Sequence, residues 1–331
     1  MSQSPGPLSA ADPVVGTEIP QLAARLKAAA DPLRLEVLRL LSQDSYSVLE
    51  LCRMLNLRQP ALSHHLKVLS QAGLVSKRRE GNNLFYRRSS DNGILGPLFT
   101  GLDQLPLSAA RAEAVAAVAA ERAEASRRFF ADYGNRFRAQ QELIAGYEVY
   151  GPQVAQLLSP ATTAVEVGPG EGEFLAELAP RFERVMALDL SSTMLARARQ
   201  FADDQALGNI DFVHGDTRKV AARPRSVDTI VMNMVLHHTP APAEIFRDLA
   251  VALKPGGQLL VAELQAHKQD WARDACGDLW LGFAPEQLHD WAVEAGLASG
   301  RSVYNALRNG FQIQIREFIK PPQAVSMENF A

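Results

Sequence analysis

The sequence has few cysteines and no long apolar run. Its 331 residues include two cysteines, Cys52 and Cys276, which cannot supply a framework of disulfide bonds. No run of 18 or more apolar residues occurs, so we expect neither a membrane-spanning helix nor a membrane partner. No signal-peptide pattern is found, and we therefore expect a cytoplasmic protein.

Composition and charge indicate two domains with different roles. Charged residues make up 21% and hydrophobic residues 47% of the chain, as in soluble globular proteins, and the length allows two separate cores. Residues 21–90 hold 12 lysines and arginines against 5 acidic residues, a net charge of +7. Since the whole chain carries −3, the remainder carries −10. This asymmetry predicts that only the front of the chain meets nucleic acid.

A glycine-rich turn marks where we expect the chemistry of the second half. A short apolar segment around Glu166 is typical of a buried strand, and Gly168, Gly170 and Gly172 follow it before a helical pattern begins. Strand, glycine turn and helix together bring free backbone N–H groups to a ligand. Asp189 lies 21 residues beyond Gly168, the spacing at which a carboxylate on the next strand reaches ribose hydroxyls. A plain connecting turn is the alternative interpretation of the glycines, and a helix N-cap or a turn acid is that of Asp189.

This order, GxGxG preceded by Glu166, resembles motif I of class I S-adenosylmethionine-dependent methyltransferases, and the resemblance covers residues 130–319. It implies an α/β fold with a doubly wound, Rossmann-like sheet and a terminal hairpin. It also implies that Asp216 accepts a hydrogen bond from the adenine amino group and that the N–H group of Thr217 meets the ring. The cofactor, S-adenosylmethionine or S-adenosylhomocysteine, is then expected to contact Glu166, Gly168, Gly170, Gly172, Asp189, Leu190, Asp216, Thr217 and Asn233.

The front of the chain shows the pattern of a winged helix-turn-helix domain. Apolar spacing and start signals predict helices around residues 22–26, after Asp31-Pro32 and after Ser47. A turn at residues 56–58 leads into a further helix that would enter the major groove. Its inner face is predicted to be Ala61, Leu62, Leu66 and Leu69, and its DNA-facing side Gln59, Ser63, His64 and Lys67.

Two basic strands joined at residues 80–83 follow and form a predicted wing. Their cations suit phosphate groups and are Lys77, Arg78, Arg79, Arg87 and Arg88. Any one of these cations could alternatively belong to an ordinary solvated surface. His64 could likewise be an ordinary surface or half-buried histidine without a role in DNA binding. The ordered set of helix, turn, helix and basic hairpin favours DNA binding.

Residues 28–88 resemble the ArsR/SmtB family of winged-helix repressors. The resemblance is carried by the segments ADPLRLEVLRLL, LSHHLKVLSQAGLV and GNNLFYRR. It implies a homodimer that binds a near-palindromic, double-stranded operator. Many members sense metals through paired cysteines in the helix before the recognition helix, but the corresponding segment LELCRML holds only Cys52. We therefore expect no metal.

The middle of the chain joins the two predicted domains. Residues 92–106 contain several glycines and prolines and are predicted to form a loop, whereas the alanine-rich residues 107–130 predict a helix that continues beyond residue 130. That helix is either part of a dimer interface or a semi-rigid spacer. We expect a disordered tail over residues 1–19, a winged helix-turn-helix domain over 20–104, a linker or dimerisation helix over 105–130, and a class I methyltransferase-like domain over 131–331.

Two main functions remain open. In the first, the back domain is a sensor, and binding of S-adenosylmethionine or S-adenosylhomocysteine changes operator affinity at methionine-cycle genes. In the second, it is an active methyltransferase that the winged helix tethers or regulates. His237 or His238 is then the candidate catalytic base, although either could hold ligand or cap the strand. A purely DNA-binding protein with a decayed back domain is disfavoured by the intact glycines and acids, and we favour the sensor.

The sequence also disfavours two special kinds of methyl transfer. Arsenite methylation needs several cysteines, and the back domain holds only Cys276. Amino-group methylation of DNA bases uses a [DNS]PP[YFW] motif after the fourth strand, where this chain has NMVLHHTP.

Overall fold

The chain folds into two units that divide in sequence after Ser108. The computed structural model describes residues 18–80, 83–89, 95–133, 137–239 and 241–322. Within these ranges, no helix combines the length and apolar character that a bilayer crossing requires. Most of the predicted tail lies outside the described residues, although Glu18 and Ile19 belong to the first helix.

The first unit combines helices with a small sheet. Strand β1 pairs antiparallel with β3, and the order in the sheet is β1-β3-β2. The elements in chain order are α1 (Glu18–Ala29), α2 (Pro32–Gln43), β1 (Tyr46–Ser47), α3 (Val48–Leu55), α4 (Gln59–Gln71), β2 (Val75–Glu80), β3 (Asn83–Arg88) and α5 (Gly96–Gln104).

Capping residues set the helix starts that the sequence predicts. Asp31 accepts a hydrogen bond from the backbone N–H of Arg34 at 2.9 Å and caps α2. Ser47 and Glu50 form a reciprocal capping box at the start of α3. Asn56, in the left-handed conformation, ends α3 and begins the turn into α4. The predicted helix-turn-helix is therefore confirmed.

The predicted loop over residues 92–106 is wrong for residues 96–104, which form α5, while residues 92–94 lie outside the described part of the chain. Pro97 lies in the first turn of that helix, where its missing N–H group leaves no hydrogen bond unmade. Phe99 and Leu102 lie buried on one face, while Gly101 is exposed. The glycines and the proline concealed an amphipathic pattern that is too short to be recognised alone.

The second unit places helices around one large sheet. Its elements in chain order are α6 (Ala109–Tyr133), α7 (Phe137–Ile144), α8 (Tyr147–Leu157), β4 (Thr163–Val167), α9 (Leu175–Leu178), β5 (Arg184–Asp189), α10 (Ser192–Asp204), β6 (Ile210–His214), α11 (Arg218–Ala221), β7 (Val227–Asn233), a 3₁₀ turn (Leu236–His238), α12 (Pro242–Ala252), β8 (Leu253–Leu264), α13 (Trp271–Cys276), α14 (Pro285–Glu294), β9 (Ala298–Ala306) and β10 (Gln312–Ile319).

The sheet has the order β6-β5-β4-β7-β8-β10-β9. The first five strands in this order, from β6 through β5, β4 and β7 to β8, are parallel to one another. Strands β10 and β9 form an antiparallel hairpin that pairs with β8. The chain moves outward from β4 to β5 and β6, and then returns to the other side of β4 with β7. The strand order therefore reverses between β4 and β7, the place where open α/β sheets bind ligands beyond the carboxyl ends of their strands.

The predicted α/β class, the strands and the terminal hairpin are confirmed, but one helix prediction needs correction. The helical stretch that follows residue 107 is interrupted, because α7 ends at Ile144 and Gly146 caps a new helix, α8. The helix after the glycine turn is only four residues long. It lies where the sequence predicts a helix, and Phe174, Leu175 and Leu178, the apolar residues at helical spacing, are buried.

Candidate functional site

The glycine turn follows β4 at the point where the strand order reverses. Gly168 takes a φ of +68°, and a Cβ there would lie 2.6 Å from the side chain of Val235. Gly172 packs against α10, where a Cβ would lie 3.0 Å from the Cα of Ala198. These two glycines are therefore required by the packing of the unit itself.

Gly170 differs from both neighbours. It has a φ of +57°, and a Cβ built on it would meet nothing within 4 Å. The backbone here borders open space, and a side chain would occupy that space. This is the arrangement that a turn needs in order to let a ligand approach its main chain closely.

Glu166 and Asn233 lie on either side of the reversal, near the carboxyl ends of β4 and β7. Both side chains are buried, and the Oε2 atom of Glu166 and both polar side-chain atoms of Asn233 make no hydrogen bond. Burial raises the pKa of Glu166 to about 8, although the nearby Asn233 amide opposes the rise. Buried polar atoms are rarely left unsatisfied, so the pair indicates a polar ligand. Both residues were predicted to contact the cofactor.

Asp189 ends β5, as predicted, and its carboxylate also stabilises the turn that follows. Its Oδ1 accepts a hydrogen bond from the backbone N–H of Ser191 at 2.7 Å. Burial raises the pKa of Asp189 to about 6. Ser191 itself caps α10, so the helix-capping alternative does not apply to Asp189, whereas the turn-acid alternative does. The next residue, Leu190, exposes an apolar side chain at the same edge of the sheet.

Asp216 lies two residues beyond β6 and is engaged by its own neighbour. Its carboxylate accepts hydrogen bonds from the backbone N–H of Arg218 at 3.1 Å and from the Nε of that guanidinium at 2.9 Å. These contacts lower the pKa of Asp216, with the side-chain hydrogen bond as the largest cause. Thr217 is buried, and its hydroxyl donates to Asp248 at 2.5 Å. Three donor contacts from Arg218 leave this carboxylate with capacity to accept a further hydrogen bond.

The two candidate catalytic histidines form the 3₁₀ turn after β7, and both are buried. Burial alone would lower the pKa of His237, but the charges of Glu263 and Asp278 raise it to about 9. For His238, burial and the charge of His237 hold the pKa well below its usual value. The two carboxylates thus favour the protonated form of His237, whereas burial favours the neutral form of His238, which is the form that a base requires.

Sequence reasoning missed the acidic partners of these histidines. Glu263 ends β8 and lies 2.5 Å from the Nδ1 of His237, and Asp278 follows α13 at 3.8 Å from its Nε2. Glu263 sits within a run of strand-forming residues, and Asp278 in a segment without a motif. For Glu263, the available signal was an acidic residue within an otherwise apolar strand. Tyr147 was also missed, and its ring packs edge-on against Phe174 beside the glycine turn.

In the first unit, α4 divides into the two faces that the sequence predicts, with one exception. Its DNA-facing set, Gln59, Ser63, His64 and Lys67, is exposed, and the leucines of the inner face are buried. Ala61 was expected on the inner face and is exposed. It precedes Leu62 by one residue, which rotates it by about 100° away from the buried stripe.

The wing brings some of its predicted cations to the surface. Lys77 is exposed and Arg87 is half-buried, whereas the side chains of Arg78 and Arg79 lie outside the described part of the chain. Arg88 is committed to its own unit. Its guanidinium binds both oxygens of Asp103 at 2.8 and 2.6 Å and stacks over Phe99, so it joins β3 to α5.

Two family models match the chain, one in each unit. Residues 31–77 match the model described as "Bacterial regulatory protein, arsR family", and residues 165–261 match a methyltransferase domain. The first match covers the helix-turn-helix and the start of the wing. The second covers the glycine turn, Asp189, Asp216, Asn233 and the histidine pair.

Similar proteins divide in the same way. A biofilm growth-associated repressor of Agrobacterium fabrum is 42% identical over 79 residues, which are 24% of this chain and 68% of the repressor. A tRNA 5-carboxymethoxyuridine methyltransferase of Escherichia coli is 32% identical over 119 residues, which are 35% of this chain and 43% of that enzyme. The chain thus spans less than half of the methyltransferase. A solved N-methyltransferase of Bradyrhizobium japonicum, in complex with S-adenosyl-l-homocysteine, aligns with a TM-score of 0.45 and 18% identity over 56% of this chain and 99% of that one.

Proposed function

Because the chain belongs to the arsR family of bacterial regulatory proteins and carries a methyltransferase domain behind its DNA-binding domain, we propose that it is a ligand-responsive transcriptional repressor. As a homodimer it binds a double-stranded operator through α4 and the wing. Its methyltransferase-like domain binds S-adenosylmethionine or S-adenosylhomocysteine as the effector, and methionine-cycle genes are its targets.

The main support for ligand binding comes from the buried polar atoms of Glu166 and Asn233 that make no hydrogen bond. Three buried polar atoms without hydrogen bonds lie at the reversal of the strand order, beside a glycine turn that is open at Gly170. A ligand with an amino-acid part and an adenosine part carries the donors and acceptors that such a site lacks. Asp189 lies on the neighbouring strand, where a ribose hydroxyl would be in reach.

The main support for DNA binding comes from the exposed side of α4. Gln59, Ser63, His64 and Lys67 are exposed on the side of α4 away from the buried leucines, and Lys77 extends the basic surface onto β2. The net charge of +7 over residues 21–90 supplies the attraction for phosphate. The arsR family match covers α4 and supports the same use of this face.

Binding to the DNA upstream of the protein's own gene and its neighbours tests the proposal directly. Fluorescence anisotropy would be recorded without ligand, with S-adenosylmethionine and with S-adenosylhomocysteine. We expect one of the ligands to shift the operator affinity at least fivefold, the lower end of typical allosteric coupling. The Asn233→Leu variant keeps the side-chain volume but removes the amide, so it should bind the same DNA without responding to ligand. Tight DNA binding that ignores both ligands would contradict the sensor role.

A second candidate function is methyl transfer to a small acceptor. The neutral His238 at the end of β7 favours it, since a base for a hydroxyl acceptor would need that protonation state. Incubation with radiolabelled S-adenosylmethionine and extracts of small metabolites would detect such transfer. If transfer is found, the His238→Gln variant should lose it while S-adenosylhomocysteine affinity stays the same.

A further inference from the structure

Two separate segments bring His237, His238 and Asp278 together at the carboxyl end of the sheet. The Oδ1 of Asp278 lies 3.8 Å from the Nε2 of His237 and also 3.8 Å from the Nδ1 of His238. One potential ligand atom from each residue lies within 4.8 Å of the others. All three residues are buried. The two imidazole rings and the carboxylate therefore face a common point.

The main chain fixes Asp278 in this position. The carbonyl oxygen of His237 accepts hydrogen bonds from the backbone N–H groups of Leu279 at 2.9 Å and Trp280 at 3.1 Å. The indole N–H of Trp280 also donates to the carbonyl of Thr239 at 2.7 Å. The loop after α13 is thus fastened across the histidine turn. The constellation does not depend on the rotamer of one flexible side chain.

Glu263 fixes the orientation of His237. One carboxylate oxygen lies 2.5 Å from its Nδ1, and the other accepts the backbone N–H of His237 at 3.2 Å. With Nδ1–H donating to Glu263, the Nε2 atom of the ring faces Asp278. Metal-binding histidines usually carry such a carboxylate on the nitrogen that does not bind the metal.

We propose that His237, His238 and Asp278 form a binding site for a divalent transition-metal ion, for which Zn²⁺ is the best match. Two imidazole nitrogens and one carboxylate oxygen are ligands that zinc accepts, at distances of about 2.0–2.2 Å. Calcium and magnesium prefer an all-oxygen set. Ligand atoms on a tetrahedral ion lie about 3.4 Å apart at these bond lengths. The two 3.8 Å separations from Asp278 therefore need to close by a few tenths of an ångström. The two imidazoles, whose ligand atoms lie within 4.8 Å, need to approach further, and the Nδ1 of His238 has to give up its contact with the Gly277 carbonyl at 3.4 Å.

This site is distinct from the cysteine-based sensing of metals that the sequence argues against. That expectation concerned paired thiolates in the DNA-binding domain, where Cys52 is the only cysteine. The new site uses nitrogen and oxygen ligands in the second unit and does not depend on the effector proposal. The ion would tie the loop after α13 to the turn after β7, and with three protein ligands it would keep a fourth position for a water molecule.

Titration of the metal-free full-length protein with Co²⁺ tests the site, because tetrahedral cobalt absorbs in the visible region. We expect one ion per chain, with displacement by Zn²⁺ measured against a chromophoric chelator. The Asp278→Asn variant loses a ligand and should lose the cobalt band. Glu263→Gln should weaken Zn²⁺ binding about 10–100-fold, as changes behind a ligand typically do. The control Asp270→Asn removes an exposed carboxylate near the same segment and should leave binding unchanged.

Two outcomes would overturn the proposal. If the wild type binds no stoichiometric ion, His237 is simply an imidazolium held between two carboxylates. If cobalt binding persists in Asp278→Asn, the ion belongs to other histidines. Should Asp278→Asn fail to fold, zinc K-edge absorption of the wild type decides the matter. Nitrogen and oxygen scattering is expected, and a sulfur ligand would exclude the assigned set.

Discussion

At the residue scale, the protonation of Glu166 has a measurable consequence for stability. The folded protein raises the pKa of this carboxyl group from 4.5 to about 8, chiefly through burial. Between those pH values the folded state holds a proton that the unfolded state releases. The free energy of unfolding therefore falls as the pH rises through this window, by up to about 1.4 kcal/mol per pH unit for one group.

The Glu166→Gln variant should lose this pH dependence. Glutamine matches the shape of the neutral carboxyl group but does not titrate, so its stability should decline less between pH 5 and 8 than that of the wild type. Chemical denaturation at several pH values measures the difference. Asp189, whose pKa burial raises to about 6, contributes in the same direction in both proteins and cancels in the comparison. Parallel stability curves would show that Glu166 is ionised in the folded state.

Gly170 and Gly172 separate ligand binding from folding. Asparagine tolerates the left-handed conformation, and at position 170 its side chain would enter open space. Gly170→Asn should therefore leave the unfolding free energy within about 1 kcal/mol of the wild type but weaken S-adenosylhomocysteine binding at least tenfold, about 1.4 kcal/mol. Calorimetric titration and thermal unfolding measure the two effects.

The control for that variant is Gly172→Ala. Residue 172 has a φ of +95°, which alanine rarely adopts, and its Cβ would press on the backbone of α10. This variant should therefore lose more than about 1 kcal/mol of stability. If Gly170→Asn binds ligand normally, the open side of the turn is not where the ligand lies.

These residues also show how far the sequence could lead. The glycine spacing and Asp189 predicted the position of the site, because a motif with fixed offsets encodes one local geometry. Glu263 and Asp278 could not be found in this way. Their contact with His237 depends on how three distant segments pack, and no local period or spacing records such packing.

At the element scale, capping signals proved more informative than composition. Asp31 and Ser47 marked helix starts that the structure confirms, since each side chain satisfies a specific backbone N–H group. Composition misled at α5, where glycines and prolines in a helix with one short buried face resembled a loop. The break between α7 and α8 did carry a signal, because Gly146 disfavours a helix interior and caps α8, and the prediction of a continuous helix overlooked it.

The wing offers a test in which one cation binds DNA and another holds the fold. Lys77 is exposed on β2, so Lys77→Ala should weaken binding to all DNA sequences alike and reduce the slope of log affinity against log salt concentration by about 1. Arg88 instead bridges β3 and α5 through Asp103. Arg88→Ala should lower the stability of the DNA-binding domain and leave the salt slope of the folded protein unchanged.

Anisotropy titrations at several salt concentrations, combined with thermal unfolding, distinguish the two variants. An unchanged salt slope for Lys77→Ala would remove that lysine from the phosphate contacts. A reduced slope for Arg88→Ala would mean that its pairing with Asp103 opens when DNA binds.

At the scale of the whole molecule, the charge asymmetry and the two family matches support the proposal that one unit binds DNA and the other a ligand. The first unit contains the basic region of net charge +7, and the acidic remainder is centred on the methyltransferase domain. The ligand can regulate DNA binding only if the two binding equilibria are coupled energetically. Such coupling obeys thermodynamic reciprocity, whatever its structural route.

Reciprocity gives the sharpest prediction for the regulator. If saturating S-adenosylhomocysteine changes operator affinity by a given factor within the typical range of about 5–150, saturating operator must change S-adenosylhomocysteine affinity by the same factor and in the same direction. Anisotropy measures the first factor, and calorimetric titration of the ligand into protein with and without operator measures the second. In the Asn233→Leu variant operator binding should be retained, and ligand should have no effect on it. A ligand affinity that is the same with and without operator would leave the two units energetically independent. The methyltransferase domain would then act as an enzyme, with the DNA-binding unit as its tether.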